Sequence, residues 1–307
     1  MSAQHLSPKN IMLAVDGSEH SLAAIALLHD LPLHPESTIT VLAVLDLRHT
    51  LSRATLLAVL DKTQNLLEDT GLKISTGLLH GNPAEELTRY AEQHHPDLFV
   101  LGARGLRATL GILLGGVAQQ VIEYATWPVL VVRAPYTGLN RALLVTDGSS
   151  CSQRAISYLG TLPLPDHIDV CVVNVIPSIY LPESAIQNLS IGMEIVAPVS
   201  RTQEEYDALE AKERAAGESL LLQTVETLHS FGIEAKSNLL QGDAATEIIE
   251  YVKNHKIDLI VAGSRGLSQM KSWLLGSVSR KLVHYSNCST LVVKGLKISG
   301  SPSQESR

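Results

Sequence analysis

The chain repeats itself, and nothing else in its sequence constrains the fold so tightly. Residues 11–33, IMLAVDGSEHSLAAIALLHDLPL, recur 131 positions later as ALLVTDGSSCSQRAISYLGTLPL at 142–164. Asp16, Gly17 and Ser18 thereby pair with Asp147, Gly148 and Ser149, and Val44 pairs with Val175. From Gly71, which pairs with Gly232, the spacing is 161. GNPAEELTRYAEQHHPDLFVLGARG from Gly81 is then echoed by GDAATEIIEYVKNHKIDLIVAGSRG from Gly242, with 11 identities in 25 positions. The wider spacing places an insertion of about 30 residues in the second copy, expected within 178–210. Its end is charged and helix-prone, so it is predicted to lengthen the helix that follows.

A chain of 307 residues is long enough for two domains at about 150 residues each. The repeat sets them at 8–135 and 141–296. Within each copy, strand-length apolar runs such as IMLAV, ITVLAVL, LFVLG and VLVVR alternate with helical stretches such as SLAAIALLHDL and PAEELTRYAEQH. Runs that are apolar on both faces suit buried parallel strands, and strands alternating with helices imply right-handed crossovers. The expected fold is α/β: two tandem doubly wound, mostly parallel five-stranded sheets with helices on both faces. Ligands of such sheets lie beyond the carboxyl ends of the strands, where the winding reverses.

Composition removes several classes. With 45% hydrophobic and 18% charged residues the chain is of ordinary globular make-up. Its 24 basic and 31 acidic side chains leave a formal charge of −7, with no basic arm, which argues against nucleic acid as a partner. MSAQHLSPKN has neither the basic region nor the apolar run of a signal peptide, and no stretch approaches the roughly 18 apolar residues that span a bilayer. A cytoplasmic protein with no membrane partner is expected. Cys151, Cys171 and Cys288 are too few and too scattered for a disulfide framework or a zinc site, and Cys171 reads as a small buried hydrophobe.

The chemistry lies in glycines at the strand ends. LIVAGSRGLSQMKSWLLGSVSRKLV carries Gly263, Gly266, Gly276 and Ser277 in the pattern G-x2-G-x9-G-S. Two glycines let the backbone turn close to an anion, and the distant pair can open a helix whose free N–H groups and dipole attract phosphate. Ser277 can offer its hydroxyl to the helix cap or to a phosphate oxygen. The first copy keeps Gly102, Gly105 and Gly115 but has Gly116 in place of the serine, so its motif is the degenerate one. Arg104 and Arg265 sit between the paired glycines, and Arg107 and Lys271 lie in the nine-residue spacers; they suit a polyanion, or simply a solvated surface. Asp16 and Asp147 end the first strands in Asp-Gly-Ser, a sequence that equally forms an ordinary turn opening a capped helix. Asp97 and Asp258 need no role beyond starting a buried strand. No catalytic residue or metal ligand is nominated, because neither G-x-S-x-G, H-E-x-x-H nor G-x4-G-K-[ST] occurs.

The order strand-Asp, strand, helix, strand, G-x2-G-x9-G-[ST], strand resembles the universal stress protein family, here as two copies in tandem over about residues 8–296. In relatives that bind ATP, the glycines and the hydroxyl residue hold the phosphates, and the strand-one Asp and a strand-two Val meet the nucleoside. The resemblance therefore implies a site of Asp147, Val175, Gly263, Gly266, Gly276, Ser277 and Val278 in the second copy. In the first it implies Asp16, Val44, Gly102, Gly105, Gly115, Gly116 and Val117. The leading reading is a nucleotide-responsive stress or signalling protein that binds ATP or AMP in the second copy, with the first copy as a further site, and with Mg2+ bridging the phosphates of ATP. Two alternatives stay open. One is a nucleotide-free interaction scaffold, and the other is a slow ATP hydrolase. The apolar last strands, WPVLVVRAP and STLVVKGLK, can cover each other, so the two copies are expected to pair within the chain. A homo-oligomer is a further option, and no protein partner is legible.

Overall fold

A computed structural model describes residues 7–46, 52–106, 114–178, 203–266 and 275–294. Arg107, Lys271 and residues 179–202 of the insertion lie outside that set.

The first copy runs β1 (Asn10–Ala14), α1 (Glu19–Asp30), β2 (Thr38–Leu45), α2 (Arg53–Leu67), β3 (Lys73–His80), α3 (Pro83–His94), β4 (Leu98–Gly102), α4 (Gly116–Tyr124) and β5 (Val129–Val132). The second repeats it as β6 (Arg141–Val145), α5 (Ser150–Thr161), β7 (Asp169–Ile176), α6 (Gln203–Ser230), β8 (Ala235–Gln241), α7 (Ala244–His255), β9 (Leu259–Gly263), α8 (Ser277–Tyr285) and β10 (Ser289–Val293). Helix α6 starts inside the 178–210 insertion and outlasts its counterpart α2, so the predicted lengthening is present.

The two five-stranded halves join into one ten-stranded sheet of order β3-β2-β1-β4-β5-β10-β9-β6-β7-β8. Strands within each half are parallel. The joint is antiparallel and pairs the last strands, with Thr290 opposite Val131 and Val292 opposite Val129. It covers what would otherwise be two apolar edges and leaves as outer edges β3 and β8, whose exposed Lys73, Ser75, Lys236 and Asn238 suit solvent. Strands buried on both faces, such as Leu98–Leu101 and Leu259–Ala262, explain the continuous apolar runs. On one face a single core runs across the joint from Ile11 and Leu13 to Leu291 and Val293; on the other, the core around Phe99 also crosses the joint to Leu275, Val283 and Val292, and a second core lies around Ile260. Each large side chain so buried contributes roughly 1.5–3 kcal/mol.

The matched polar residues tie the repeat together. Asp97 Oδ2 accepts from the N–H groups of Lys9 and Asn10, and Asp258 Oδ2 accepts from those of Asn140 and Arg141, all at 2.9 Å. Each carboxylate therefore pins the start of the first strand of its copy. Cys171 departs from expectation: it is half-buried, 3.1 Å from the Tyr251 hydroxyl and 3.3 Å from Asn238 Nδ2.

Candidate functional site

In both halves the winding reverses between the first and fourth strands, and the turns that follow those strands face each other there. Asp16 holds them together: its Oδ1 accepts from the Ser18 N–H and its Oδ2 from the Leu106 N–H, both at 3.0 Å. Ser18 caps α1 by accepting from the Ser21 N–H at 3.2 Å, and its hydroxyl donates to the Arg104 carbonyl at 3.1 Å. The second copy repeats the design with Asp147, Ser149 and the Arg265 carbonyl. Asp-Gly-Ser is thus a capped turn and also one wall of a cleft.

The glycines divide by task. A Cβ on Gly102 would lie 2.8 Å from the His20 backbone, and one on Gly263 would lie 2.6 Å from that of Cys151, so these two let α1 and α5 approach the sheet. A Cβ on Gly105 or Gly266 would meet the aspartate Oδ2 at 2.5 Å. At Gly115 the contacts are ordinary, and at Gly116 nothing lies within 4 Å. In the first motif only the late glycines leave room for a side chain; in the second, a Cβ on Gly276 would lie 3.1 Å from the Arg265 Cα.

Helices α4 and α8 start where the distant pair predicts, but the cap residues are Gly115 and Gly276, neither of which supplies a side chain. Ser277 is the first helical residue and its counterpart Gly116 likewise, so of the two tasks the sequence left open for the Ser277 hydroxyl, the helix cap is removed. The first-turn N–H groups of both helices therefore keep their capacity for an anion.

The first cleft encloses about 680 Å3. It gathers the expected Asp16, Val44, Gly102, Arg104, Gly105, Gly115, Gly116 and Val117. The second, of about 260 Å3, gathers Asp147, Val175, Gly263, Arg265, Gly266, Gly276, Ser277 and Val278. Every sequence-expected residue thus falls in the cleft of its own copy. Several lining residues escaped the sequence reading: Asp46, Leu56, Gln119, His284 and Tyr285 in the first, Asn174 in the second. Asp46, buried at the end of β2, was legible as a carboxylate closing an apolar strand; in the second copy Pro177 takes its place. His284 and Tyr285 belong to the other copy, and no local pattern signals them.

The size difference has a local cause. Asn174 replaces Ala43, is buried, and donates through Nδ2 to the Thr146 carbonyl at 2.8 Å. Gly217 replaces Leu56, and a Cβ there would meet Leu239 at 2.6 Å and Asn174 at 2.9 Å, so α6 lies directly on the sheet where α2 is propped off it. The basic side chains also differ in company. Arg104 Nε donates to His20 Nε2 at 2.9 Å, and burial with Arg104 nearby pushes the His20 pKa down. In the second copy that position is Cys151, whose Sγ accepts from Arg154.

At the joint, Arg133 donates through Nη2 to the carbonyls of Val283, at 2.7 Å, and His284, at 3.3 Å. Its counterpart Lys294 donates to the Glu123 carbonyl at 2.9 Å. Each copy thus grips the last turn of the other's final helix. Burial, helped by Arg265, pushes the Lys294 pKa down to about 8.

Fold and cleft together define a tandem, doubly wound α/β protein with a recess at each switch point, ligand-sized in the first copy. The chain belongs to the universal stress protein family, which it matches over residues 8–133 and 138–294. It is 45% identical over 76 residues to a universal stress protein of Methanocaldococcus jannaschii, a match over 25% of this chain that spans less than half, 45%, of the relative's length. It is 24% identical to one of Mycolicibacterium smegmatis over 95% of this chain and 99% of that one. A universal stress protein structure from Archaeoglobus fulgidus superposes with a TM-score of 0.63 at 21% identity, covering 92% of this chain and 97% of the other, a likeness of fold. No described helix is long and apolar enough to cross a membrane.

Proposed function

We propose that this protein binds an adenine nucleotide, ATP or AMP, at the strand carboxyl ends and acts as a nucleotide-responsive stress or signalling protein, with the first cleft as its principal site. The observation that carries this reading is the 680 Å3 recess, which lies within the range of small-molecule sites, whereas 260 Å3 lies below it. Its apolar side, Leu42, Val44 and Leu87, suits a base, and its other side offers Arg104 and the uncapped start of α4 to phosphate. The missing hydroxyl at Gly116 removes one contact and leaves the main-chain donors. Mg2+ accompanying ATP would be held largely by phosphate and water.

Binding is favoured over hydrolysis because both oxygens of Asp16 are committed to backbone N–H groups of the turns, a poor position for activating water. The scaffold reading draws on the joint of β5 and β10, which is compatible with a bound nucleotide. The experiment is to denature freshly purified protein, identify the released small molecules by chromatography and mass, and count them per chain. About one adenine nucleotide per chain is expected. None, followed by no thermal shift with ATP and Mg2+, would favour the scaffold, since a ligand at 100 times its Kd adds about 2.7 kcal/mol.

A further inference from the structure

The first cleft is not built by the first copy alone. His284 and Tyr285, the last two residues of α8, line it together with Gly116, Val117 and Gln119 of α4. The reason is topological. Because β10 runs antiparallel to β5, α8 ends on the side of the sheet where α4 begins. Arg133, at the end of β5, then fixes that last turn through the Val283 and His284 carbonyls.

Strand order also sets which part of a ligand meets these residues. The cleft extends from β2, with Leu42 and Val44, past β1 and β4 toward β5, beyond which lies the second copy. With strands about 4.8 Å apart, the step from β2 to β4 is roughly 10 Å, about the reach from a base to the first phosphate of a nucleotide. A ligand with its base on Val44 and its first phosphate at the start of α4 directs further phosphates toward α8. Building on the nucleotide reading above, we propose that the second copy completes the first site and makes it selective for a nucleoside triphosphate, His284 and Tyr285 donating to the outer phosphates. Burial and Arg280 push the His284 pKa down, against a smaller opposing pull from Glu123, and a ring N–H is available to donate in either protonation state. Tyr285 is 62% exposed and lines the recess, so its side chain is accessible to a ligand there.

The arrangement is one-sided. The repeat places Glu123 and Tyr124 where the second cleft would receive the same help, and neither lines it. A carboxylate there would repel phosphate, and its Oε1 accepts from Gln119 Nε2 at 3.3 Å instead.

The test uses the full chain carrying Ser277→Asp, so that a carboxylate at the start of α8 keeps phosphate out of the second cleft. ATP and AMP are titrated calorimetrically into this parent and into parents that also carry Tyr285→Phe, His284→Gln, or both. The expected result is a loss of about 10-fold in ATP affinity for the double variant, with AMP affinity within about twofold of the parent. Retained AMP binding shows that the cleft is still folded, which a merely structural role for these residues would not guarantee. Equal losses for both nucleotides, or unchanged ATP affinity, would overturn the inference and leave the nucleotide reading standing. A parent that binds neither nucleotide would remove the placement of the nucleotide in the first cleft, and this inference with it.

Discussion

The two clefts descend from one repeat and differ in the opposite sense to their motifs. The second copy keeps the serine of G-x2-G-x9-G-S, yet its recess is about 260 Å3; the first has lost it, and its recess is about 680 Å3. Asn174 and Gly217 close the second, while Ala43 and Leu56 at the same positions keep the first open. A motif records which backbone donors exist. Whether a ligand can reach them depends on side chains outside the motif, because packed interiors leave space only where the facing residues fail to fill it.

The largest expected effect concerns the joint, where the copies differ in having Arg133 and Lys294. The unfolded chain keeps the Lys294 proton up to the ordinary value of 10.5, and the folded one releases it at about 8. Its contribution is therefore complete above about pH 10.5 and lost as the pH falls through 8. Relative to Lys294→Met, the parent should gain on the order of 3 kcal/mol between those limits in urea titrations. Arg133→Met should show no such pH dependence; matching profiles for the two would remove this contrast.

Next come Gly102→Ala and Gly263→Ala. Each drives a methyl into the backbone of a helix start, so each should cost about 1–3 kcal/mol in denaturant midpoint, whether or not nucleotide is present. These glycines are poor probes of binding for the same reason. Loss of affinity without loss of stability would show that they serve the ligand instead.

Gly116→Asp separates the two kinds of effect. The new side chain enters open space and its charge favours a helix start by about 0.3–1 kcal/mol, while ATP affinity at the first cleft should fall at least about 10-fold by calorimetry. Ser277→Asp should change total ATP binding far less. If the two variants behave alike, the clefts are functionally equivalent and the volume argument fails.

The smallest effect sharpens the comparison. In the Gly116→Asp background, Asn174→Ala should widen the second cleft and raise its nucleotide affinity a few fold, at about 1 kcal/mol of stability for the lost bond to the Thr146 carbonyl. Unchanged affinity would place the closure with α6 alone.

Sequence alone determined the parts of this protein that are local or repeated. The 131 and 161 spacings, the alternation of period and the apolar runs sufficed for two doubly wound halves, because strand and helix patterns reflect burial one element at a time. The glycine spacing and Asp-Gly-Ser likewise located both clefts, since turns and helix starts are written in consecutive residues. The apolar final strands pointed to the joint. The tertiary structure decided what arises between distant elements. It set Gly115 and Gly276, not Ser277, as the caps. It reserved Gly102 and Gly263 for helix packing and brought His284 and Tyr285 from the second copy to the first cleft. Cleft volume belongs here as well: it is the space left between the strand ends and the turns and helices that face them, a difference between packed surfaces that no single segment encodes.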